Sequence, residues 1–502
     1  MPDRVPVLIV GAGPVGLSLA LGLARCGVRS VVIEKNQSTS ETSRAPGIWS
    51  RTLEIFDGWG VIDDFLAAGP LLTDVQIWSV GNPSPRVRIS FEFLRDTTPY
   101  PGLLVVPQSK TEAILARRLQ EESLADVRFS CELLDWTERE DGVVARVSTA
   151  DGEEQIAASY MVGCDGAHSR VRHGLGLHLE GKTYDAHVAL ADVQIDGKEF
   201  PWPRVGTADG PLIGLHIGKG LWRIIAISSD AAKDEVIGDR ELDGWVRGVF
   251  GDIAYERVWT STFSIHSRIC KTLRKGRVLL AGDAGHLNSP AGGQGMNSGI
   301  QDTHNLAWKL ARTLAGGNAD KLLDSYDVER RQVVRQYVNR ATDFLTRALI
   351  EGSDFRRIFF ATLARSGLTI QPLRRRAMRR MTMLDARYRH SPLFPAAHRL
   401  VGARAPNCLV RGIAGVKRLH EVVGAVPCLL WLGYDGLPWE FEALAIRQEA
   451  LTRATAPALF EELEITAPLA MLIRPDGFIG VALENPTLPE LAGHVAAALG
   501  DA

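Results

Sequence analysis

The sequence predicts an α/β protein of two or three domains, and three observations support this class. Residues 5–34 contain, in order, an apolar strand, a glycine turn, a helix and a second strand, which is the order of a Rossmann-like βαβ unit. Between Tyr184 and His266, short apolar runs alternate with turn residues, which indicates a mostly antiparallel sheet. From about residue 400, strand-like and helix-like segments alternate again. Because the chain has 502 residues, it is too long for one ordinary core.

Composition and charge favour a soluble globular protein. The 57 basic and 59 acidic residues give a net charge of −2, which offers no general attraction for nucleic acid or an anionic membrane. No apolar run approaches the ~20 residues that span a bilayer, and Val5–Val10 continues into a glycine motif instead of a cleavage site. The six cysteines have neither CxxC nor metal-site spacing, so we expect reduced thiols, no metal site and a cytoplasmic location.

The first unit, residues 5–34, has the residues of a dinucleotide-binding turn. In the motif GAGPVG, Gly11 allows the turn, Gly13 lets the backbone approach a pyrophosphate, and Gly16 lets the helix pack closely on the strand. Glu34 ends the second strand, where a carboxylate can accept hydrogen bonds from both ribose hydroxyls of an adenosine and would repel a 2′-phosphate. We therefore predict an adenine-dinucleotide site; a coincidental glycine turn is the alternative.

The next segment, Ser43–Gly60, places Arg44 and Arg51 on either side of Trp49. The two arginines could contact a ligand. They could equally be solvated side chains of a surface helix, and for Arg51 the two interpretations have similar weight.

A helix over Thr111–Glu122 is predicted from a capping box that begins at Ser109. Gln108 precedes it and could reach a cofactor or be an ordinary polar loop residue. Further on, Asp165 and Gly166 follow a strand in CDGAHSRVR, either at a ligand crevice or in a structural turn.

Three polar or aromatic residues stand out in the β-rich region, namely His216, Trp222 and Arg223. Their side chains would face either the core or a substrate, and a core or surface position is the more common outcome for each of them alone. The arginine-rich run Pro372–Met381 lacks interleaved aromatic residues, which favours a solvated or interface helix face over nucleic-acid binding.

The stretch Gly276–Leu310 combines an apolar strand, an acid at Asp283 and a glycine-rich turn that opens into a long helix. The first N–H groups of such a helix have no partner within it and lie at the positive end of the helix dipole, so they favour an electron-rich or anionic ligand. Asp283 is placed to accept hydrogen bonds from sugar-type hydroxyls. We expect a flat ligand to lie against the bare backbone of the turn.

Three segments resemble the corresponding segments of single-component FAD-dependent aromatic monooxygenases of the p-hydroxybenzoate hydroxylase fold class. They are GAGPVG with Glu34, CDGAHSRVR and GDAGHLNSPAGGQGMNSGIQD. The resemblance covers roughly residues 5–390. It implies a Rossmann-like FAD-binding domain with an inserted, mostly antiparallel substrate domain and a helical segment. Residues 400–502 resemble the C-terminal thioredoxin-like domain of larger members such as polyketide and phenol hydroxylases; without CxxC it should be redox-silent.

The resemblance implies a division of the chain and a set of site residues. The FAD-binding domain would comprise residues 1–75, 108–182 and 276–395, with substrate-domain segments at 76–107 and 183–275. The implied FAD contacts are Gly11, Gly13, Pro14, Val15, Gly16, Glu34, Lys35, Arg44, Gln108, Asp165, Gly166, Asp283, Pro290, Gly293, Gly295, Met296 and Asn297. The candidate substrate contacts are Trp49, Trp222, Arg223 and Pro290. Many relatives have two prolines before the glycine turn where this chain has Ser289-Pro290, which affects the shape of the substrate face and not FAD binding.

The activity implied by the resemblance is NAD(P)H- and O2-dependent hydroxylation of an aromatic, phenolic or polyketide substrate through a flavin C4a-hydroperoxide. A base that makes a phenol more phenolate-like would help, and His216, Arg223 and His286 are the candidates, each with an ordinary structural role as alternative. Baeyer–Villiger oxygenation, a flavin-dependent halogenase (although no WxWxIP segment is present) and a non-catalytic flavoprotein are the other functions considered. The choice of NADH or NADPH, the substrate and a homo-oligomeric state stay open.

Overall fold

The computed structural model describes residues 4–40, 46–82, 84–85, 87–208, 211–228, 237–289, 292–339, 371–395, 397–412, 415–424, 426–439 and 446–501. Arg44 and Pro290 lie outside these residues.

The apolar run Val5–Val10 forms strand β1 at the centre of a mixed sheet, because its side chains are buried on both faces. Strand order is β17-β18-β11-β1-β2-β8, and β1 is parallel to both of its neighbours. An antiparallel extension, β9 and β10, continues from β11. The other strands of this sheet are β2 Ser30–Ile33, β8 Ala125–Arg128, β9 Glu132–Arg139, β10 Gly142–Thr149, β11 Gly152–Gly163, β17 Arg274–Lys275 and β18 Val278–Leu280.

Helices cover this sheet, and their apolar faces close the largest core cluster. The predicted strands Val5–Val10 and Ser30–Ile33 are confirmed. The predicted helix Thr111–Glu122 is wrong at its start, because the helix begins directly after Pro107 and carries no side-chain cap. The helices of this part are α1 Pro14–Arg25, α2 Ser50–Gly58, α3 Ile62–Ala68, α4 Gln108–Gln120, α5 Arg170–Gly174, α7 Gly295–Leu314 and α8 Ala319–Val333, with short 3₁₀ turns at Glu92–Leu94 and Gly282–Ala284 and a π-helical turn at Val334–Asn339.

A second, antiparallel sheet confirms the β-rich region expected from the sequence. Its strand order is β13-β14-β15-β12-β16-β19, and helix α6 (Asp239–Phe250) packs on one face through Trp222, Trp245 and Phe250. The strands are β12 Leu179–Gln194, β13 Arg204–Thr207, β14 Pro211–Gly218, β15 Leu221–Ser228, β16 Glu256–Cys270 and β19 His286–Leu287. Since β19 belongs to the loop that follows β18, the two sheets are joined beside the glycine-rich stretch.

Two small antiparallel sheets accompany the two larger ones. The order β3-β7-β4 forms one of them and the β5-β6 pair the other. Their strands are β3 Gly47–Trp49, β4 Leu71–Leu72, β5 Asp74–Ile77, β6 Val87–Ser90 and β7 Leu103–Val105.

Residues 400–501 form what we call the C-terminal unit, with a mixed sheet in the order β23-β22-β24-β25. This confirms the α/β pattern predicted for the end of the chain. Its elements are β20 Leu409–Gly412, β21 Gly415–Arg418, α10 Leu419–Val423, β22 Cys428–Leu432, β23 Arg447–Leu451, α11 Pro457–Glu462, β24 Leu469–Ile473, β25 Ile479–Glu484 and α12 Leu488–Leu499. The arginine-rich run is helix α9 (Gln371–Met381), in which Arg375 and Arg379 pair with Glu462 of this unit.

Buried charges join the C-terminal unit to helices α7 and α8. Arg474 donates to both carboxylate oxygens of Glu329, at 2.7 and 2.8 Å, and Lys309 donates to the same carboxylate at 2.8 Å. Asn305 donates to Asp476 at 2.9 Å. All of these side chains are buried, so the interface is held by matched charges as well as by apolar packing.

Candidate active site

The turn between β1 and α1 exposes bare backbone. Gly11 donates its N–H to the carbonyl oxygen of Ile33 at 2.8 Å and has φ +105°, and a Cβ there would lie 2.6 Å from the carbonyl oxygen of Cys164. A Cβ on Gly16 would lie 1.9 Å from the carbonyl oxygen of Gly11, whereas a Cβ on Gly13 would meet no atom of the described residues within 4 Å. Contacts within the protein therefore require glycine at positions 11 and 16. At Gly13 the space beside the backbone is available to a ligand.

Glu34 lies beside this turn at the end of β2. One carboxylate oxygen accepts the N–H of Ala12 at 2.9 Å and the other accepts the N–H of Asn36 at 3.0 Å. The carboxylate is therefore oriented at the mouth of the turn, where a ribose next to a pyrophosphate would lie. Lys35 is exposed.

Helix α1 packs against the loop after β18 and against helix α7. A Cβ on Gly282 would lie 2.8 Å from the side chain of Val15, and one on Gly299 would lie 2.6 Å from it. Val15 is thus a packing residue between α1 and these two elements, and Pro14 is the first residue of α1. Neither α1 nor α7 has a side-chain cap at its start, so the first N–H groups of each helix are without a side-chain cap and can bind a ligand.

A buried carboxylate holds the loop that carries Asp283. Asp302 accepts hydrogen bonds from the N–H of Gly282 at 3.0 Å and from Nε of Arg330 at 2.7 Å, and it pairs with Nε2 of His286 at 2.7 Å. Burial alone would raise the pKa of Asp302, but the charges of His286 and Arg330 lower it below its ordinary value. Asp283 itself is exposed.

This geometry gives His286 a positioning role. Its side chain is fully buried against Asp302, and its other ring nitrogen lies 3.2 Å from Nδ2 of Asn288. A base that acts on a substrate needs an accessible nitrogen, so the geometry favours the structural alternative over the catalytic role considered for His286.

Asn297 fixes the second glycine turn. Its Oδ1 accepts the N–H of Trp49 at 2.9 Å, and its Nδ2 donates to the carbonyl oxygens of Gly47 at 3.0 Å and Gly293 at 2.9 Å. The indole N–H of Trp49 donates to the carbonyl oxygen of Gly292 at 2.9 Å. These contacts attach strand β3 to the turn and leave the side chain of Asn297 occupied by the protein backbone.

The backbone at the start of α7 is not crowded by the described residues. A Cβ on Gly295 would meet no atom of them within 4 Å, and Gly293 has φ +63° with the indole of Trp49 at 3.8 Å from its Cβ position. Met296 is partly buried and packs against the main core.

Gln108 and Asp165 have protein partners. Gln108 is the first residue of α4 and donates to Glu112 at 2.9 Å, while the other oxygen of Glu112 accepts the N–H of Ser40 at 2.9 Å. Burial raises the pKa of Glu112. Asp165 accepts hydrogen bonds from the hydroxyl of Ser169 at 2.5 Å and the N–H of Val171 at 3.1 Å, so it supports the turn into α5. The structural turn considered for Asp165 is therefore present, and Gly166 beside it has φ +76°.

An apolar cavity of about 100 Å³ lies next to the second glycine turn. We call it the ring cavity. Trp49 forms part of its wall, and the ring of Phe91 lies 6.0 Å from that of Trp49. The other described lining residues are Leu72, Val75, Ile89, Leu103, Val105, Pro203, Leu215 and Met381. Trp49 thus contacts both the turn and the cavity.

The β-rich sheet does not bring its predicted residues together at this cavity. Trp222 is buried under α6, with its ring 4.8 Å from that of Phe250, and His216 packs on the same side, 5.1 Å from Trp222. Arg223 is buried and forms two hydrogen bonds with Asp192, each of 2.7 Å. The alternation of strand residues places Trp222 in the core, so the substrate role predicted for Trp222 is not supported. The base roles of His216 and Arg223 have no support from this geometry either.

Arg51 is not solvated. It is 2% exposed and donates to the carbonyl oxygen of Asp476 at 2.6 Å and to Glu54 at 3.1 Å. Its interpretation as a surface arginine is wrong, because the C-terminal unit covers helix α2.

These features fit FAD. The starts of α1 and α7 carry no side-chain cap, Glu34 accepts the N–H of Ala12 in the first glycine turn, and Val15 of α1 packs against Gly299 of α7. A long dinucleotide with a flat ring at one end matches such an arrangement. Among the residues that the structure describes, no helix could span a membrane, and no group of histidine, cysteine or acidic residues could hold a metal ion.

Comparison with known proteins gives the same result. The FAD binding domain family matches residues 4–341. The chain is 31% identical over 496 residues to the 12-dehydrotetracycline 5-monooxygenase/anhydrotetracycline 6-monooxygenase of Streptomyces rimosus, covering 95% of each chain. It is 34% identical over 348 residues to the 3-(3-hydroxy-phenyl)propionate/3-hydroxycinnamic acid hydroxylase of Mycolicibacterium smegmatis, covering 68% of this chain and 61% of that protein.

A solved structure agrees over the whole chain. The ternary complex of aklavinone-11 hydroxylase with FAD and aklavinone superposes with a TM-score of 0.82 at 26% identity, covering 99% of this chain and 100% of that one. The fold is the α/β FAD-binding fold of the aromatic hydroxylases, and the chain belongs to the family of FAD-dependent aromatic and polyketide monooxygenases.

Proposed function

We propose that this flavin-dependent monooxygenase uses NAD(P)H and O2 to hydroxylate an aromatic, phenolic or polyketide substrate bound in the ring cavity. The observation that carries the proposal is the position of Trp49, which lies in the wall of the cavity and donates its indole N–H to the glycine turn at Gly292. A ring held against Trp49 would lie next to the place where the flavin ring is expected. An aromatic substrate is supported by the relatives named as an anhydrotetracycline 6-monooxygenase and a 3-(3-hydroxy-phenyl)propionate hydroxylase.

Bound FAD would accept hydride from the nicotinamide and activate O2 for transfer to the substrate. In this proposal Gly11, Gly13 and Gly16 form the pyrophosphate turn, and Glu34 binds the adenosine ribose. Asp283 accepts hydrogen bonds from the ribityl hydroxyls. The support is the open space at Gly13 and the orientation of Glu34 at the mouth of the turn.

The protein stabilises negative charge, holds the second glycine turn in place and excludes water. The uncapped N–H groups at the start of α7 stabilise negative charge at the second glycine turn. Asn297 and Trp49 hold the turn in place. The apolar wall of the ring cavity excludes water, which limits loss of the activated oxygen before it is transferred to the substrate.

No titratable side chain is among the described residues that line the ring cavity. We therefore assign no catalytic base, and we expect the substrate ring to be electron-rich in its own right.

The C-terminal unit is proposed to be thioredoxin-like and redox-silent. Burial raises the pKa of Cys408 to about 11 and that of Cys428 to about 12, so neither thiol is activated as a thiolate. The domain boundaries expected from the sequence belong to the same proposal.

The test is to follow NADH and NADPH oxidation by the purified FAD-loaded protein with a panel of phenols and aromatic polyketides. We expect at least one ring to stimulate oxidation and to gain one oxygen atom by mass spectrometry. A hydroxylated ring supports the proposal, whereas a ring-expanded lactone would identify Baeyer–Villiger oxygenation. If FAD is bound and neither nicotinamide reduces it under any condition of the panel, the proposal is wrong and a non-catalytic flavoprotein is favoured.

A further inference from the structure

We propose that the ring cavity selects uncharged aromatic rings and rejects rings that carry a carboxylate. This inference rests on the proposed function, since it concerns the same site. Neither the family nor the fold requires it, because the polarity of the cavity is set by this chain's own side chains.

The first step is the chemistry of the wall. Each described residue that lines the ring cavity is apolar, and the indole N–H of Trp49 is already donated to Gly292. A carboxylate that enters such a wall loses its hydration and gains no hydrogen bond in return, which is strongly unfavourable. A neutral ring loses little hydration and gains contact with Trp49 and Phe91.

The second step concerns size. The cavity has a volume of about 100 Å³. Apolar cavities on the order of 150 Å³ stay dry and accept benzene-sized molecules. The ring cavity therefore matches a single ring, either a small phenol or the reacting ring of a larger molecule.

The third step concerns the cation that could have bound an anionic substrate. Arg223 lies directly opposite Leu215 in the antiparallel pairing of β14 and β15, and Leu215 lines the cavity. Nε and Nη2 of Arg223 donate to the two oxygens of Asp192, at 2.7 Å each, and its guanidinium group lies 5.6 Å from the ring of Trp259. Its charge is balanced within the protein, and a substrate carboxylate could recruit it only by leaving Asp192 buried without its partner.

The experiment compares two phenols of similar size, 3-methylphenol and 3-hydroxybenzoate, which carry an uncharged methyl group and a carboxylate at the same ring position. Dissociation constants are measured at pH 7 with the oxidised FAD-loaded protein, by flavin difference spectra and by calorimetry. We expect 3-methylphenol to bind at least about tenfold more tightly. Equal or tighter binding of 3-hydroxybenzoate would overturn the inference, and so would the absence of any 3-methylphenol binding up to its solubility limit.

A charge placed in the wall gives a second measurement. Leu215→Arg should reverse the preference, because the new cation has no carboxylate partner among the cavity-lining residues and can pair with the probe. Leu215→Met, with similar volume and no charge, should keep the wild-type preference. If Leu215→Arg fails to fold, the wild-type probe pair still decides. Binding in the expected order without any nicotinamide-driven reduction of FAD would reject the proposed function and leave the selectivity of the cavity intact.

Discussion

The substitution Asp302→Asn tests whether the buried carboxylate organises the cofactor loop. In the protein, Asp302 accepts from the N–H of Gly282 and from Arg330, pairs with His286, and is 0% exposed. The asparagine side chain has nearly the same shape but no negative charge. Arg330, which is equally buried, would be left without its partner, and one acceptor oxygen would be replaced by a donor group.

The expected magnitude follows from burial. Removal of one member of a buried ion pair costs about 3–5 kcal/mol of unfolding free energy. With about 2–4 °C of melting temperature per kcal/mol for domains of this size, the midpoint should fall by about 6–20 °C. The matched control is Asp252→Asn, which removes the same charge from an aspartate whose side chain is 85% exposed and pairs with Arg247. Solvent screens an exposed ion pair and leaves it little effect on stability, so the control should melt close to wild type.

The assay is a thermal melt with and without added FAD, together with the ratio of flavin to protein absorbance. The variant should also lose FAD, because the loop that carries Asp283 loses its anchor. The pKa of Asp302 is lowered in the folded protein, so its stabilisation is present above the ordinary carboxylate range and is lost as the pH falls through the folded value. The difference in melting temperature between wild type and Asp302→Asn should therefore become smaller at acidic pH. A variant that melts like Asp252→Asn and keeps full FAD content would refute the reasoning.

Three further outcomes are expected. Asp283→Ala should purify without yellow colour while it melts like wild-type apoprotein, and normal FAD content would refute its ribityl role. Gly13→Ala should fold, because a Cβ there meets no atom of the described residues within 4 Å, yet bind FAD more weakly; Gly16→Ala should fail to fold, because its Cβ would lie 1.9 Å from a carbonyl oxygen. If Gly13→Ala and Gly16→Ala can both be purified and bind FAD with similar affinity, this prediction is wrong. Burial alone would raise the pKa of Glu54, but nearby positive charge, chiefly that of Arg404, lowers it to about 2. The stabilisation from Glu54 is therefore lost only as the pH falls from about 4 towards 2. Arg404→Met should therefore shift acid unfolding, followed by fluorescence, to higher pH, and an unchanged midpoint would count against it.

The local parts of the fold could be predicted from the sequence. The strand, glycine turn and helix that begin at Val5 depend on neighbouring residues, and Gly11 and Gly16 are required by contacts within the same unit. The start of α4 was misplaced because the serine and glutamate of the predicted capping box lie inside the helix, which begins after Pro107.

The polar contacts of the site could not be predicted, since they depend on residues far apart in the chain. His286 looks like a candidate base in the sequence, and only the fold shows it beside Asp302, with Arg330 a further 28 residues along the chain. Arg51 is buried by Asp476, which lies 425 residues away. The roles of Asp302 and Arg330 could not be predicted for the same reason. The sequence gives one signal for them, which is an acid on the apolar face of α7 and an arginine on that of α8.

The ion pairs between the C-terminal unit and the FAD-binding part limit how the two can be recombined. Glu329 faces Arg474 and Lys309, and Asp476 faces Asn305, all inside the protein. A chimera that takes residues 400–501 from a relative would bring new side chains to these positions while Glu329 and Lys309 stayed behind. Such exchanges should yield folded protein only when both halves of each pair are transferred together.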